Sequence, residues 1–385
     1  MTRDADRGRL NLIAADRVVP GDGTAVRPLT LTIDGGRILA VTEGIVPGAE
    51  VVDGVLVPGY VDTHCHGAAG AAFTDPDPAA VARAIAHHRS HGSTTLFAST
   101  VTDSLDELVA QVGRLRLLVE QGELAGIHLE GPFLSPAHKG AHPTELLVDP
   151  VDEAVDALVE AGGGAVRMFT IAPELNHGVE ACRRMARAGV VAAFGHSDAD
   201  AATTRASIDA GVTVATHLFN AMRPIHHRAP GPVPVLLDDA RVTVEMIADF
   251  VHLAPEIVEF VGRAGGAGRV CLVTDAMSAT GSADGAYMLG RLPVQVVDST
   301  ARLATEDGTP GAIAGSTLTM DVAVENLARV GFDVREAVAM ASVNPARAHG
   351  LDEVGQLAVG RWADVCVIDP QSFALRRVMR HGHWS

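Results

Sequence analysis

Eight short apolar segments, separated by Ala-rich stretches with helical spacing, constrain the fold of this chain more than any other feature. They run Val55 to Asp62, Thr94 to Ser99, Gly126 to Glu130, Val166 to Ile171, Val190 to His196, Val212 to His217, Val242 to Ile247 and Val270 to Asp275. Strand-length apolar runs alternating with helices are the mark of βα units around a parallel sheet, and eight of them predict an α/β fold, a (β/α)8 TIM-like barrel. Helices are expected at Pro78 to His91, Leu105 to Val119, Val151 to Ala161 and Gly178 to Ala188, and beyond the eighth strand at Leu318 to Val330 and Val334 to Ser342.

The segments on either side of the barrel read differently. Residues 10 to 58 contain short strands at Leu10 to Ala14, Leu29 to Ile33, Ile38 to Val41 and Glu50 to Val52, broken by Gly- and Pro-containing turns. Strands return at Leu357 to Val359, Val365 to Ile368 and Ala374 to Val378. Together these segments predict a small discontinuous β-sandwich domain. The expected division is 1–57 for its first part, 58–346 for the barrel and 347–385 for its second part.

In such barrels the catalytic groups stand at the C-terminal ends of the strands. Here those ends carry His64 and His66, then Glu130, His196, His217 and Asp275. In extended backbone His64 and His66 project to one side and Cys65 to the other, so the two imidazoles can share a metal ion. Glu130, His196 and His217 offer one carboxylate and two imidazoles, the three ligands of a catalytic divalent metal that keeps a position for water. Asp275 is then free to take a proton from that water and pass it to a leaving group. This is the chemistry of a hydrolase.

Composition excludes other classes. Net charge is −17 and the acidic residues are spread along the chain, which disfavours nucleic acid or an anionic membrane as partner. No apolar run has the length of a membrane span or a signal-peptide core, which points to a cytoplasmic protein. The four cysteines, Cys65, Cys182, Cys271 and Cys366, form no C-x-x-C pair and are expected to be buried and unpaired. Against this acidic background Arg223-Pro-Ile-His-His-Arg228 is a basic island suited to a phosphate ester.

Pro58-Gly-Tyr-Val-Asp-Thr-His64-Cys-His66-Gly67, with a barrel and a split β domain, resembles the amidohydrolase superfamily. His128-Leu-Glu130-Gly-Pro-Phe133, Lys139-Gly-Ala-His142, Gly195-His-Ser197, Thr216-His-Leu-Phe-Asn-Ala-Met222, Thr274-Asp-Ala-Met277 and Ala314-Gly-Ser-Thr-Leu-Thr-Met320 are similar to the N-acetylglucosamine-6-phosphate deacetylase family within it. The resemblance runs from about residue 10 to 370. It implies hydrolysis of the N-acetyl group of a 6-phosphorylated amino sugar, with Glu130, His196 and His217 as primary metal ligands and Asp275 as general base and then acid. His142 would polarise the acetamide carbonyl. Asn220 and Ala221 would contact substrate, and Ala141 with Ile313, Ala314, Gly315 and Ser316 would line the sugar pocket. Arg228 and His252 match phosphate-binding positions, Arg228 in the site of a neighbouring subunit, which implies a homodimer.

His64 and His66 fall at a position that varies within this family, some members working with one metal. With both present, one or two ions per subunit are expected, Zn²⁺ first and Fe²⁺ or Mn²⁺ next. A carboxylated-lysine bridge, as in hydantoinase-like relatives, is excluded because Lys139 is the only lysine and lies in a Gly/Pro/His-rich loop. The rival expectation is a related deacetylase or deaminase acting on another N-acyl amino sugar or an N-acyl amino acid. Glu174 is expected to serve as a structural hydrogen-bonding group, and His138, His177, His226 and His227 as solvated side chains.

Overall fold

The computed structural model describes residues 10–385; the charged stretch Met1 to Arg7 lies outside them. Eight strands, Tyr60–Asp62, Ser93–Thr100, Gly126–Glu130, Val166–Ile171, Val191–Phe194, Val212–Ala215, Thr243–Met246 and Val270–Leu272, follow one another in a single parallel sheet. No strand ladder joins the first to the last. The ring is closed just past their ends, where the Asp275 N–H donates to the His64 carbonyl and the His66 N–H to that of Ala276, both at 2.8 Å. Helices Pro78–Ser90, Leu105–Glu120, Asp152–Gly162, Gly178–Arg187, Ala201–Asp209, Val233–Asp238 and Pro255–Gly265 connect the strands. The first is capped by the Asp77 carboxylate accepting from the Ala79 N–H, and it buries Ala80, Val81, Ala84, Ile85 and His88 along one face.

The expected first barrel strand, Val55 to Asp62, is two strands. Val55–Pro58 pairs antiparallel with Val365–Ile368 in the small sheet, and the barrel begins only at Tyr60. The break falls at Gly59, where a Cβ would stand 2.2 Å from Thr94 Oγ1, so no side chain fits. The small sheet runs His383–Trp384, Leu375–Arg380, Val365–Ile368, Val55–Pro58, Asn11–Val18, Arg27–Asp34, Arg37–Glu43, with Glu50–Val51 beside Asn11–Val18. Strand alternation then divides its side chains. Leu56, Val365 and Val367 join Ile13, Leu31 and Ile38 in a separate core, whereas Val55, Val57, Cys366 and Ile368 pack into the barrel core.

Other expectations are corrected. Leu357 to Val359 is no strand: Leu357 is buried and its N–H donates to the Pro20 carbonyl, but Val359 is 65% exposed. The helix expected over Val334 to Ser342 is Val334–Val338, followed by a π-helical turn, Ala339–Val343. A three-stranded antiparallel sheet, Gly285–Leu289, Leu292–Val297 and Thr300–Leu303, follows the eighth strand and was not foreseen. Its apolar face packs on Met277, Ala314 and Ala141 and so walls one side of the barrel mouth. All four cysteines are free and buried. Among the described residues no helix is long and apolar enough to cross a membrane.

Polar side chains from several strands meet inside the barrel. Ser99 Oγ lies 2.9 Å from His128 Nδ1, His128 Nε2 lies 2.8 Å from Thr170 Oγ1, and Thr170 Oγ1 lies 2.9 Å from Thr216 Oγ1. Burial holds the pKa of His128 well below its usual value, so the ring is neutral and the chain of hydrogen bonds is uncharged. Thr170→Val keeps the side-chain shape but leaves His128 Nε2 and Thr216 Oγ1 without this partner. It should destabilise the protein by about 1–3 kcal/mol, read from denaturant unfolding; an unchanged midpoint would show that the ladder contributes nothing.

Candidate active site

The site lies at the C-terminal rim, and its backbone is under constraint. His196, His217, Ala221 and Asp275 have φ of 49°, 29°, 49° and 51°, the left-handed region that non-glycine residues avoid. Such conformations persist where the surroundings over-determine them, and they gather at functional sites. Gly195 shows how tight the rim is, since a Cβ there would stand 2.7 Å from Thr170 Cγ2 and 2.9 Å from Thr216 Cβ.

At the centre is Glu130, whose two oxygens face different imidazole pairs. Oε1 is 3.1 Å from His196 Nε2 and 3.0 Å from His217 Nε2, and those nitrogens are 3.1 Å apart. Oε2 is 3.2 Å from His66 Nε2 and 3.5 Å from His64 Nε2, themselves separated by 3.3 Å. Asp275 Oδ1 completes the second group at 3.1 Å from His66 and 3.4 Å from His64.

These spacings fit a metal. Ligand atoms about 2.0–2.1 Å from a tetrahedral ion stand about 3.3 Å from one another, which is the separation found on both sides of Glu130. The supporting contacts also aim lone pairs inward. His196 Nδ1 donates to the His138 carbonyl at 3.0 Å, leaving Nε2 for the centre, and His64 Nδ1 lies 3.3 Å from Glu245 Oε2. Among these side chains the carboxylates set the charge balance. Burial disfavours charge on His64, but Glu130 and Asp275 outweigh it and raise its pKa well above the usual value. Burial likewise works against the Asp275 carboxylate, yet His64 and His66 bring its pKa down to about 2. Glu130, His142 and His196 form a further set whose ligand atoms lie mutually within 4.8 Å.

His142 is neutral: burial, and then His196, push its pKa down to about 3. Its Nδ1 faces the Thr102 N–H at 3.3 Å and Thr102 Oγ1 at 2.8 Å. Accepting the N–H there places the imidazole proton on Nε2, on the Glu130 side, 3.8 Å from Oε2. His252 is oriented by Asp249, with Nδ1 2.7 Å from Oδ2 and its N–H donating to Oδ1 at 2.8 Å. Burial acts against protonation of His252 and Asp249 overcomes it, so its pKa is raised.

A cavity of about 360 Å³ opens over this cluster. Of the sequence candidates, His66, Glu130, Ala141, His142, His196, His217, Asn220, Ala221, His252, Asp275, Ile313 and Gly315 line it. His64 is wholly buried behind the lining, as is Ala314, and Ser316 Oγ donates to the Thr274 carbonyl at 2.6 Å rather than facing the cavity. Arg228 is exposed, 2.7 Å from His227 Nε2, and lies outside this chain's own cavity. Glu174 accepts from Ser197 Oγ and from the Asp198 N–H, both at 2.6 Å, which is the structural role expected of it. His138 is half-buried rather than freely solvated: it lies in the cavity wall, 3.0 Å from Asp198 Oδ1.

Two acids escaped the sequence reading. Asp62 accepts from Thr274 Oγ1 at 2.6 Å and braces the closing seam, and Glu245 stands behind His64. Each interrupts an apolar strand, and that was the available signal. Asp62, Cys65 and His88 also approach one another, but His88 Nε2 lies 3.0 Å from the Gly67 carbonyl, a hydrogen bond that occupies the nitrogen as a donor.

The pattern of the Amidohydrolase family matches residues 55–384. An N-acetylglucosamine-6-phosphate deacetylase of Lysinibacillus sphaericus is 35% identical over 344 residues, 87% of each chain. An N-acetylgalactosamine-6-phosphate deacetylase of Escherichia coli O157:H7 is 36% identical over 82% of this chain and 84% of its own. Among solved structures, a variant N-acetyl-D-glucosamine-6-phosphate deacetylase of Mycobacterium smegmatis, in complex with N-acetyl-D-glucosamine-6-phosphate, superposes with a TM-score of 0.93. It is 46% identical and covers 98% of this chain and 99% of its own. The chain belongs to the amidohydrolase family and, within it, to the N-acetylglucosamine-6-phosphate deacetylases.

Proposed function

We propose that this protein hydrolyses the N-acetyl group of N-acetylglucosamine 6-phosphate, giving glucosamine 6-phosphate and acetate. The observation that carries this reading is the pair of imidazole groups around Glu130 with Asp275 and His142 at the floor of a sugar-sized cavity. Glu130, His196 and His217 would hold one divalent cation, and His64 and His66 with Glu130 a second. Zn²⁺ fits such ligands best, with Fe²⁺ and Mn²⁺ also suited. When bound, the cation supplies Lewis-acid polarisation of the amide carbonyl and acidifies a water.

The residues of the chain do the rest. Asp275 is ionised at neutral pH, so it can accept the proton of the attacking water and return it to the amine nitrogen as the C–N bond breaks. His142, neutral with its proton on Nε2, can donate a hydrogen bond to the carbonyl oxygen as negative charge develops there. Asn220, Ala221, Ala141, Ile313 and Gly315 would hold the sugar. The cavity lining, among the described residues, has no arginine or lysine, so His252, which stands apart from the metal-ligand cluster and has a raised pKa, would be the local group to meet a phosphate. Arg228 would supply the second charge from another subunit of a cytoplasmic homodimer.

The Escherichia coli relative's name favours a second reading, in which the substrate is the galactosamine epimer. Acetate release from both 6-phosphates, assayed in parallel with metal content, tests the assignment; a larger kcat/KM for the galacto sugar would transfer it. Asp275→Asn should lower kcat by about 10²–10⁴-fold with little change in thermal unfolding, and near-normal turnover would remove Asp275 from the mechanism.

The trans role of Arg228 has its own test. Arg228→Ala should raise KM for the phosphorylated sugar. Refolding that variant together with Asp275→Asn should restore activity to roughly a quarter of wild type, because mixed dimers then contain one complete site. No recovery, with dimers present, would return Arg228 to the role of a solvated loop residue.

A further inference from the structure

Glu245 lies in the barrel strand Thr243–Met246 and is 1% exposed. Its neighbours Val244 and Met246 pack in the apolar core, and a carboxylate in this position is costly unless a donor or a positive charge meets it. One oxygen, Oε2, is met: it stands 3.3 Å from His64 Nδ1 and 3.4 Å from the His217 N–H. The other, Oε1, has no hydrogen-bond partner among the described residues. The acid therefore has little purpose as a packing group, and its contact with His64 is its most direct link to the site.

That contact is specific. An acceptor at Nδ1 selects the tautomer with its proton there and leaves the Nε2 lone pair facing His66, Glu130 and Asp275. The ring is also held from the side by His128, at 4.4 Å between centroids and 74° between planes. His66 has no such support, its Nδ1 being unpartnered among the described residues. On the other side of Glu130 the ligand His196 is braced by a different group, the His138 carbonyl. Glu245 thus meets the ring of His64 directly, whereas it reaches the other half only through the His217 backbone N–H, which does not orient that imidazole.

We propose that Glu245 is a positioning residue that holds His64 as a ligand and so determines whether the His64/His66 side of Glu130 retains its metal ion. This rests on the reading that cations occupy both sides of Glu130. Outer carboxylates of this kind raise the basicity of the imidazole and fix its orientation, and their loss typically weakens metal affinity 10–100-fold.

The test is metal content and release to a chelator, neither of which depends on catalysis. Wild type, Glu245→Ala, Glu245→Gln and His64→Asn would be purified with the same metal. Wild type should hold two ions per chain. Glu245→Ala should hold one tightly and the second about 10–100-fold more weakly. Glu245→Gln, which keeps an acceptor oxygen, should fall between them. Combining Glu245→Ala with His64→Asn should weaken the second ion no further than His64→Asn alone, because both act through one ligand. Two tightly held ions in Glu245→Ala would overturn this inference and leave the two-ion reading intact. Equal loosening of both ions with a lowered Tm would also overturn it, showing Glu245 to be structural. A wild-type chain holding one ion would overturn both together.

Discussion

The barrel is closed by the residues that make its site. Between the first and last strands the seam consists of hydrogen bonds from Asp275 to His64 and from His66 to Ala276, with Thr274 fastened to the Asp62 carboxylate beneath. Closure removes the two sheet edges that the first and last strands would otherwise expose, and here these bonds rather than a strand ladder complete it. The chain therefore places His64, His66 and Asp275 by the same bonds that complete the barrel. Their side chains have little freedom to move apart, and preorganisation of the site follows from the topology.

Electrostatic attraction governs the side chains that this seam brings together. Two buried carboxylates stand among four imidazoles, the six side chains coming from the ends of five strands. Burial alone would neutralise the two carboxylates, but attraction to the neighbouring histidines keeps Glu130 and Asp275 ionised. A cluster that concentrates acidic charge and imidazole lone pairs at ligand spacing is poised for a divalent cation. The polar ladder below, from Ser99 to Thr216, carries no charge and so adds no competing field. His142 stays neutral at the edge of the same cluster, which suits it to donate a hydrogen bond without bringing a second positive charge towards a metal.

Charge also bears on how the cavity of one chain could meet an anionic substrate. A protein of net charge −17 repels a phosphate ester at long range. Attraction must come from positive groups close to the phosphate, and on the function proposed above His252, braced by Asp249, would be one of them. The basic island from Arg223 to Arg228 divides accordingly: Arg223 is tied to Asp198 at 2.8 Å, and Arg228 stays exposed beyond the rim.

Much of this was legible in the sequence. Periodicity distinguished barrel from flanking β segments, and strand ends named Glu130, His196, His217 and Asp275, because a parallel barrel sends the C-terminal ends of its strands to one rim. The spacing of His64 and His66 was enough to put both imidazoles on one side. Tertiary structure decided what depends on distance between strands. Only there do the two oxygens of Glu130 divide between two imidazole pairs, the strand read as Val55 to Asp62 break at a glycine with no room for a side chain, and the sheet Gly285–Leu303 fold over the cavity. Asp62 and Glu245 were hidden for the same reason. A single acid in an apolar strand has no local partner, and its role appears only when another strand brings the donor to it.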